Sequence, residues 1–110
     1  MTKPATIQEL KNRAEDVSAL LKFLSHPNRL LIACMLTEGE LSVSELEAET
    51  DISQPHLSRD LGRLREAGLV SARRESKNVY YEIAEEQLVH LIDALCRAFG
   101  SKPKRKKRRR

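Results

Sequence analysis

Between Ile52 and Val70 the chain spells out a helix, its stop and the strand that follows: Ile52-Ser53-Gln54-Pro55-His56-Leu57-Ser58-Arg59-Asp60-Leu61-Gly62-Arg63-Leu64-Arg65-Glu66-Ala67-Gly68-Leu69-Val70. Ser53 is of the type that caps a helix N-terminus. Pro55 suits the first turn, where its missing N–H has no helical partner. Leu57, Leu61 and Leu64 recur at spacings of four and three, which makes one apolar stripe. Gln54, His56, Ser58, Arg59 and Arg63 lie opposite it, and all of them hydrogen-bond. Gly68 ends the helix and Leu69-Val70 begins a strand.

The flanks supply the rest of a small domain. Thr6 and Glu9 have capping-box spacing, and Leu10, Ala14, Val17, Leu20, Leu21 and Leu24 follow as an apolar stripe, so a first helix is expected over Thr6–Leu24. Ser25-His26-Pro27 breaks it, with His26 expected as a cap. Pro27 opens a second helix through Leu30, Leu31, Ala33, Cys34 and Leu36, ending near Gly39. Leu41-Ser42-Val43 reads as a short extended piece. Ser42 and Glu45 repeat the capping-box spacing ahead of a third helix, Ser44 to Glu49. Asp51-Ile52 turns into the Ser53–Ala67 helix. Leu69–Arg74 and Val79–Ala84 alternate and contain β-formers, with Glu75-Ser76-Lys77-Asn78 as their turn. A last helix, Glu85 to Phe99, carries Leu88, Leu91, Ile92, Leu95 and Phe99 on one side and ends at Gly100. The order α-α-(β)-α-α-β-β-α is mainly α with a small β-hairpin. It is that of a winged helix-turn-helix, whose second helix reads double-stranded DNA.

At 110 residues one domain is expected, and no apolar run approaches the roughly 20 residues of a membrane span. Aromatic residues make up 4% of the chain and Trp is absent, so the core must be aliphatic. The opening Met1-Thr2-Lys3-Pro4 lacks the apolar segment of a signal peptide, which predicts a cytoplasmic protein. The net charge of +4 conceals two regions: residues 102–110 hold eight of the twenty Lys and Arg, and without them 12 basic residues face 16 acidic ones. Residues 1–101 are therefore expected to fold as the DNA-binding and dimerisation domain. Residues 102–110 are expected as a disordered basic tail making salt-sensitive phosphate contacts or simply aiding solubility.

The chain resembles the arsenic-repressor (ArsR) family of bacterial winged-helix regulators. The resemblance covers nearly all of residues 14–99. It rests on Leu24-Ser25-His26-Pro27-Asn28-Arg29-Leu30, on Glu40-Leu41-Ser42-Val43-Ser44-Glu45-Leu46, on the Ser53–Val70 stretch and on Arg73-Arg74-Glu75 with Val79-Tyr80-Tyr81. It implies a homodimer packed through its first and last helices, bound to a palindromic operator and released by a ligand or by oxidation. A dimer also meets a physical need, because two reading helices enter successive major grooves only when held about 34–36 Å apart. The family's wing turn often carries Gly where this chain has Ser76, so a differently shaped wing tip is expected.

Candidate DNA-binding residues are Ser53, Gln54, His56, Ser58 and Arg59 on the early turns, where Gln pairs with adenine and Arg with guanine. Arg63 is placed to meet phosphate, and Arg73, Arg74 and Lys77 flank the wing turn. Against this, Arg63 and Arg65 also read as a solvated face pairing with Asp60 and Glu66.

No metal or cofactor is expected. The arsenic-type site of the family uses two Cys in the segment matching Glu40–Leu46, where this chain has Ser42 and Ser44, and serine is a poor ligand for thiophilic ions. The last helix offers only His90 with Asp93 and Glu86 nearby, short of the three or four ligands of a strong site. There remain Cys34 and Cys96, 62 residues apart. On the residues alone they are either buried packing thiols or a redox pair. The Gln54-Pro55 helix start, the Tyr80-Tyr81 wing and the placement of the two Cys resemble a sulfide- and persulfide-responsive subgroup of the family. That resemblance implies that Cys34 and Cys96 are the redox-sensing pair, with reactive sulfur species or oxidants as inducer.

The expected function is a dimeric repressor whose operator binding is released when Cys34 and Cys96 are bridged. Two alternatives stand beside it: a repressor that is constitutive or senses another ligand, and an architectural DNA-binding protein dominated by its tail. An enzyme is not expected, because no nucleophile is paired with an oriented base and no Gly-rich phosphate loop is present.

Overall fold

A computed structural model describes residues 6–100, and the basic tail expected over 102–110 lies outside the described residues. The elements are α1 (Ile7–Leu24), α2 (Pro27–Leu36), β1 (Leu41–Ser42), α3 (Val43–Thr50), α4 (Gln54–Glu66), β2 (Val70–Glu75), β3 (Asn78–Ile83) and α5 (Glu86–Phe99). Five helices and one antiparallel sheet in the order β1-β3-β2 make a winged helix-turn-helix, as the periodicities predict.

Both capping boxes form. Thr6 Oγ1 accepts from the Glu9 N–H at 3.1 Å while Glu9 accepts from the Thr6 N–H at 3.0 Å; Ser42 and Glu45 do the same at 3.1 and 2.8 Å. Each box satisfies two backbone donors that a helix start leaves orphaned. Two other expected caps do not form. His26 and Ser53 stand at N-cap positions with extended backbone, but neither side chain makes a capping hydrogen bond. For Ser53, the second helical residue is Pro55, which has no N–H to offer. His26 lacks the short reach of Ser, Thr, Asp or Asn. The second helix also ends earlier than Gly39. It closes at Leu36, and the Thr37 hydroxyl donates to the Cys34 carbonyl at 2.8 Å.

α3 ends at Asp51, which adopts a left-handed φ of 62°, and Ile52 drops into the core to begin the turn into α4. At the far end of α4, Gly68 has φ 77° and the Leu69 N–H reaches the Leu64 carbonyl at 3.0 Å. That six-to-one bond is the Schellman closure for which a glycine is needed. The chain is thereby delivered directly into β2.

The core is aliphatic: Leu24, Ile32, Ala33, Leu36, Leu41, Leu46, Leu57, Leu61, Leu64, Val70, Leu88 and Ile92 are buried in one cluster with Ile52 and Leu69. Leu57, Leu61 and Leu64, the predicted stripe of α4, are all within it. The two-residue strand β1 pairs Leu41 with Tyr81 and Ser42 with Tyr80, tying the start of α3 to the wing. α1 is the exception to good burial. Only Leu24 at its end is buried, while Ile7, Leu10 and Leu21 are exposed, as are Leu30 and Leu31 on α2. At the end of α5, Phe99 is 86% exposed. No described helix is long and apolar enough to cross a membrane.

Candidate functional site

The outer face of α4 is a polar ridge whose side chains hold one another. Ser53, Gln54, His56, Ser58, Arg59 and Arg63 are all exposed. The Ser58 hydroxyl donates to Gln54 Oε1 at 3.0 Å, and Arg59 Nη2 lies 2.6 Å from His56 Nδ1. A guanidinium only donates, so His56 Nδ1 is the acceptor and the ring's Nε2–H remains as an outward donor. The early turns thus present an amide, an imidazole N–H, a hydroxyl and a guanidinium in fixed mutual order, a set suited to base edges.

Asp60, on the same helix, does not join this face. It is buried, and its partner is neither Arg63 nor Arg65 but Arg29 on α2, with Nε 3.6 Å from Asp60 Oδ1. Arg29 Nη1 donates to the Phe23 carbonyl at 3.1 Å, and its guanidinium carbon sits 4.3 Å over the Phe23 ring. Arg29 Nε is sealed from solvent with no hydrogen-bond partner, so its compensation is the Asp60 charge. The two side chains lock α2 against α4 and pin both to the end of α1. Sequence reasoning missed this pair, although Asp60 lies between Leu57 and Leu61 beside the apolar stripe, where an acid requires a cation.

The wing turn is tighter than four residues. Glu75 pairs with Asn78, which leaves only Ser76 and Lys77 in the loop, and Ser76 takes the left-handed φ of 58° that a glycine would take there. The expectation of a differently shaped tip gains no support from this backbone. The two wing arginines differ. Arg73 is held by Glu40 through Nε and Nη2 at 3.1 and 2.8 Å, by Glu75 through Nη1 at 2.8 Å, and lies over the Tyr80 ring. The carboxylates, Glu40 foremost, raise its pKa further above the ordinary guanidinium value. Arg74 and Lys77 are exposed and have no ion pair among the described residues.

Cys34 on α2 and Cys96 on α5, both half-buried, are joined as a disulfide with their Cα atoms 6.9 Å apart. The helix that carries Arg29 in its first turn therefore carries Cys34 in its last. Elsewhere on α5, His90 lies 3.9 Å from Glu86, while Asp93 turns to Arg97 at 2.8 Å instead. Among the described residues no group of three His, Cys, Asp or Glu is placed to hold a metal. Ser42 is occupied with the α3 cap, and Ser44 is exposed.

Residues 26–72 match the family described as bacterial regulatory protein, arsR family. The biofilm growth-associated repressor of Agrobacterium fabrum (strain C58 / ATCC 33970) is 50% identical over 104 residues, spanning 90% of this chain and 89% of its own. The chain belongs to the arsR family. The crystal structure of the transcriptional repressor BigR from Xylella fastidiosa matches this arsR-family chain with a TM-score of 0.81 at 45% identity, covering 88% of this chain and 99% of that one. The transcriptional activator HlyU of Vibrio cholerae serotype O1 is 36% identical over 96 residues, covering 87% of this chain and 89% of its own. The chain is an arsR-family transcriptional regulator of the BigR and HlyU type with a DNA-binding winged-helix fold, and it is not an enzyme.

Proposed function

We propose that this chain is a cytoplasmic, homodimeric repressor that binds a palindromic operator in its dithiol state and releases it when reactive sulfur species or oxidants bridge Cys34 and Cys96. The observation that carries the reading is the meeting of these two thiols. They are 62 residues apart in sequence and brought together by α2 and α5. In a reducing compartment such a pair is sensory more often than structural.

The chemistry needs only a persulfide. One thiolate attacks the outer sulfur of a persulfide RSSH, becomes a protein persulfide and releases the thiolate RS⁻. The second thiolate attacks the inner sulfur of that persulfide, closing the disulfide and expelling hydrosulfide. Two cysteine thiols are oxidised, and the persulfide is reduced to a thiol and hydrogen sulfide. The Cα separation of 6.9 Å lies just beyond the usual disulfide span of about 4.4–6.8 Å. A bridge that retains an extra sulfur atom also fits that gap.

Release follows from what α2 touches. Bridging fixes α2 to α5, and α2 grips α4 through Arg29 and Asp60. The exposed apolar residues of α1, with Phe99 of α5, supply the surface for a second copy. A shift of α2 against the dimer helices alters the spacing of the two reading helices. In this reading Ser53, Gln54, His56, Ser58 and Arg59 face bases, Arg63, Arg74 and Lys77 face phosphate, and Arg73 braces the wing.

The test is fluorescence anisotropy of a labelled duplex from the protein's own promoter region, titrated with reduced protein with and without inorganic polysulfide. Binding abolished by polysulfide, restored by reductant and insensitive in Cys34→Ser and Cys96→Ser supports the reading. Binding that polysulfide leaves unchanged makes the cysteines packing residues and the protein a regulator of another kind.

A further inference from the structure

Gly62 occupies a helical position that the fold does not require to be glycine. It is the ninth of the thirteen residues of α4, away from both caps. Glycine is the poorest helix former after proline. The usual structural reasons for tolerating it are a left-handed φ, a helix end or a neighbour too close for a side chain. Gly62 is not among the glycines with positive φ, which are Gly39 and Gly68. A Cβ added at Gly62 meets nothing within 4 Å.

Its position suggests a reason outside the monomer. At 3.6 residues per turn Gly62 lies roughly 140° round α4 from Leu57, near the middle of the face turned away from the core. It follows Ser58 by one turn and sits beside Arg59 and Arg63. Ser58, Arg59, Gly62 and Arg63 line one open groove with Phe23 and Arg29. Arg59 and Arg63 are exposed, and neither is ion-paired among the described residues.

We propose that Gly62 sets how deeply α4 enters duplex DNA, and so is a specificity-determining residue; this rests on the DNA-reading role given to α4 above. A major groove is about 12 Å wide and a helix with its side chains about 10–12 Å across, so the outermost ridge decides the depth of entry. A missing side chain in the middle turn lets the helix settle and brings Gln54 and Ser58 to the base edges. An added methyl group holds the helix out. Contacts to bases suffer more than contacts to phosphate, because the flexible Arg63 and wing side chains follow the backbone outward.

The experiment compares the full-length reduced protein with Gly62→Ala and Gly62→Val. Each is titrated onto the promoter duplex and onto a scrambled duplex of equal length, and thermal midpoints are recorded. Gly62→Ala is expected to raise the midpoint by about 3–6 °C, since alanine is the better helix former. It is expected to weaken promoter binding by about tenfold, the scale of one lost base contact, with less effect on the scrambled duplex. Gly62→Val is expected to weaken promoter binding further. Promoter binding by Gly62→Ala within about threefold of the parent, or a midpoint that does not rise, overturns the proposal while leaving the DNA-reading role intact. A parent protein with no preference for promoter over scrambled DNA overturns both.

Discussion

Arg29 on α2 and Asp60 on α4 face one another inside the protein, Nε to Oδ1 at 3.6 Å, with side chains only 13% and 5% exposed. A charge in such a place depends on its partner, because solvent cannot replace it. Arg29→Ala or Asp60→Ala should each lower stability by about 3–5 kcal/mol, the cost of leaving a buried charge uncompensated. Arg29→Met combined with Asp60→Leu should recover most of that loss, since a well-packed apolar pair often matches a buried ion pair. Urea unfolding of the three variants checks this. Single losses below about 1 kcal/mol would mean that water reaches the pair.

The two neighbouring wing arginines should behave differently. Arg73 is held by Glu40 and Glu75, whereas Arg74 has no ion pair among the described residues. Replacing Arg73 by Ala should leave promoter affinity at moderate salt nearly unchanged and lower stability only slightly, because solvent screens an exposed ion pair. Arg74→Ala and Lys77→Ala should each reduce the slope of log affinity against log salt by about one. Equal slopes for all three substitutions would return Arg73 to the DNA surface.

Ser76 occupies a left-handed conformation, φ 58°, at the first position of the two-residue wing loop. A non-glycine residue there costs about 1–2 kcal/mol, which glycine offsets only in part because it is freer in the unfolded chain. Ser76→Gly should therefore raise the unfolding free energy modestly, by up to about 1 kcal/mol, with promoter affinity unchanged. Chemical denaturation beside anisotropy reads both quantities. A fall in stability would show that the Ser76 side chain supports the turn.

Much of this was readable from residues alone. The Thr6–Glu9 and Ser42–Glu45 boxes, the Leu57-Leu61-Leu64 stripe and the Gly68 stop each rest on interactions within a few residues, and each forms. What escaped depends on distant partners. Arg73 pairs with Glu40 across 33 positions and Arg29 with Asp60 across 31, and no periodicity reports such pairings. A helix wheel does place Asp60 beside the apolar stripe, so its burial was available as a signal while its partner was not. The absent caps at His26 and Ser53 have local causes: the imidazole lacks the short reach of a capping side chain, and Pro55 removes the N–H of the second residue of α4.

α1 leaves Leu10 and Leu21 about half exposed, at 49% and 47%. If a second copy covers them, Leu10→Asp with Leu21→Asp should shift the protein from dimer to monomer in sedimentation velocity. Promoter affinity should collapse with it, because one reading helix alone cannot span two half-sites. A parent protein that sediments as a monomer at micromolar concentration would remove the dimer from the proposal.

The Cys34–Cys96 bond has a topological effect beyond anything it does to DNA. It closes a ring of chain that contains α3, α4 and both long strands of the wing, leaving α1 outside. Loop-closure entropy for 62 residues corresponds to about 4 kcal/mol of protection against unfolding. If oxidation also releases the operator, as proposed above, the oxidised protein is the hardier species, unfit for its operator yet less readily unfolded than the reduced one. On that reading a cell emerging from oxidation inherits a reserve of intact regulator and restores repression by reducing it, without synthesising new protein.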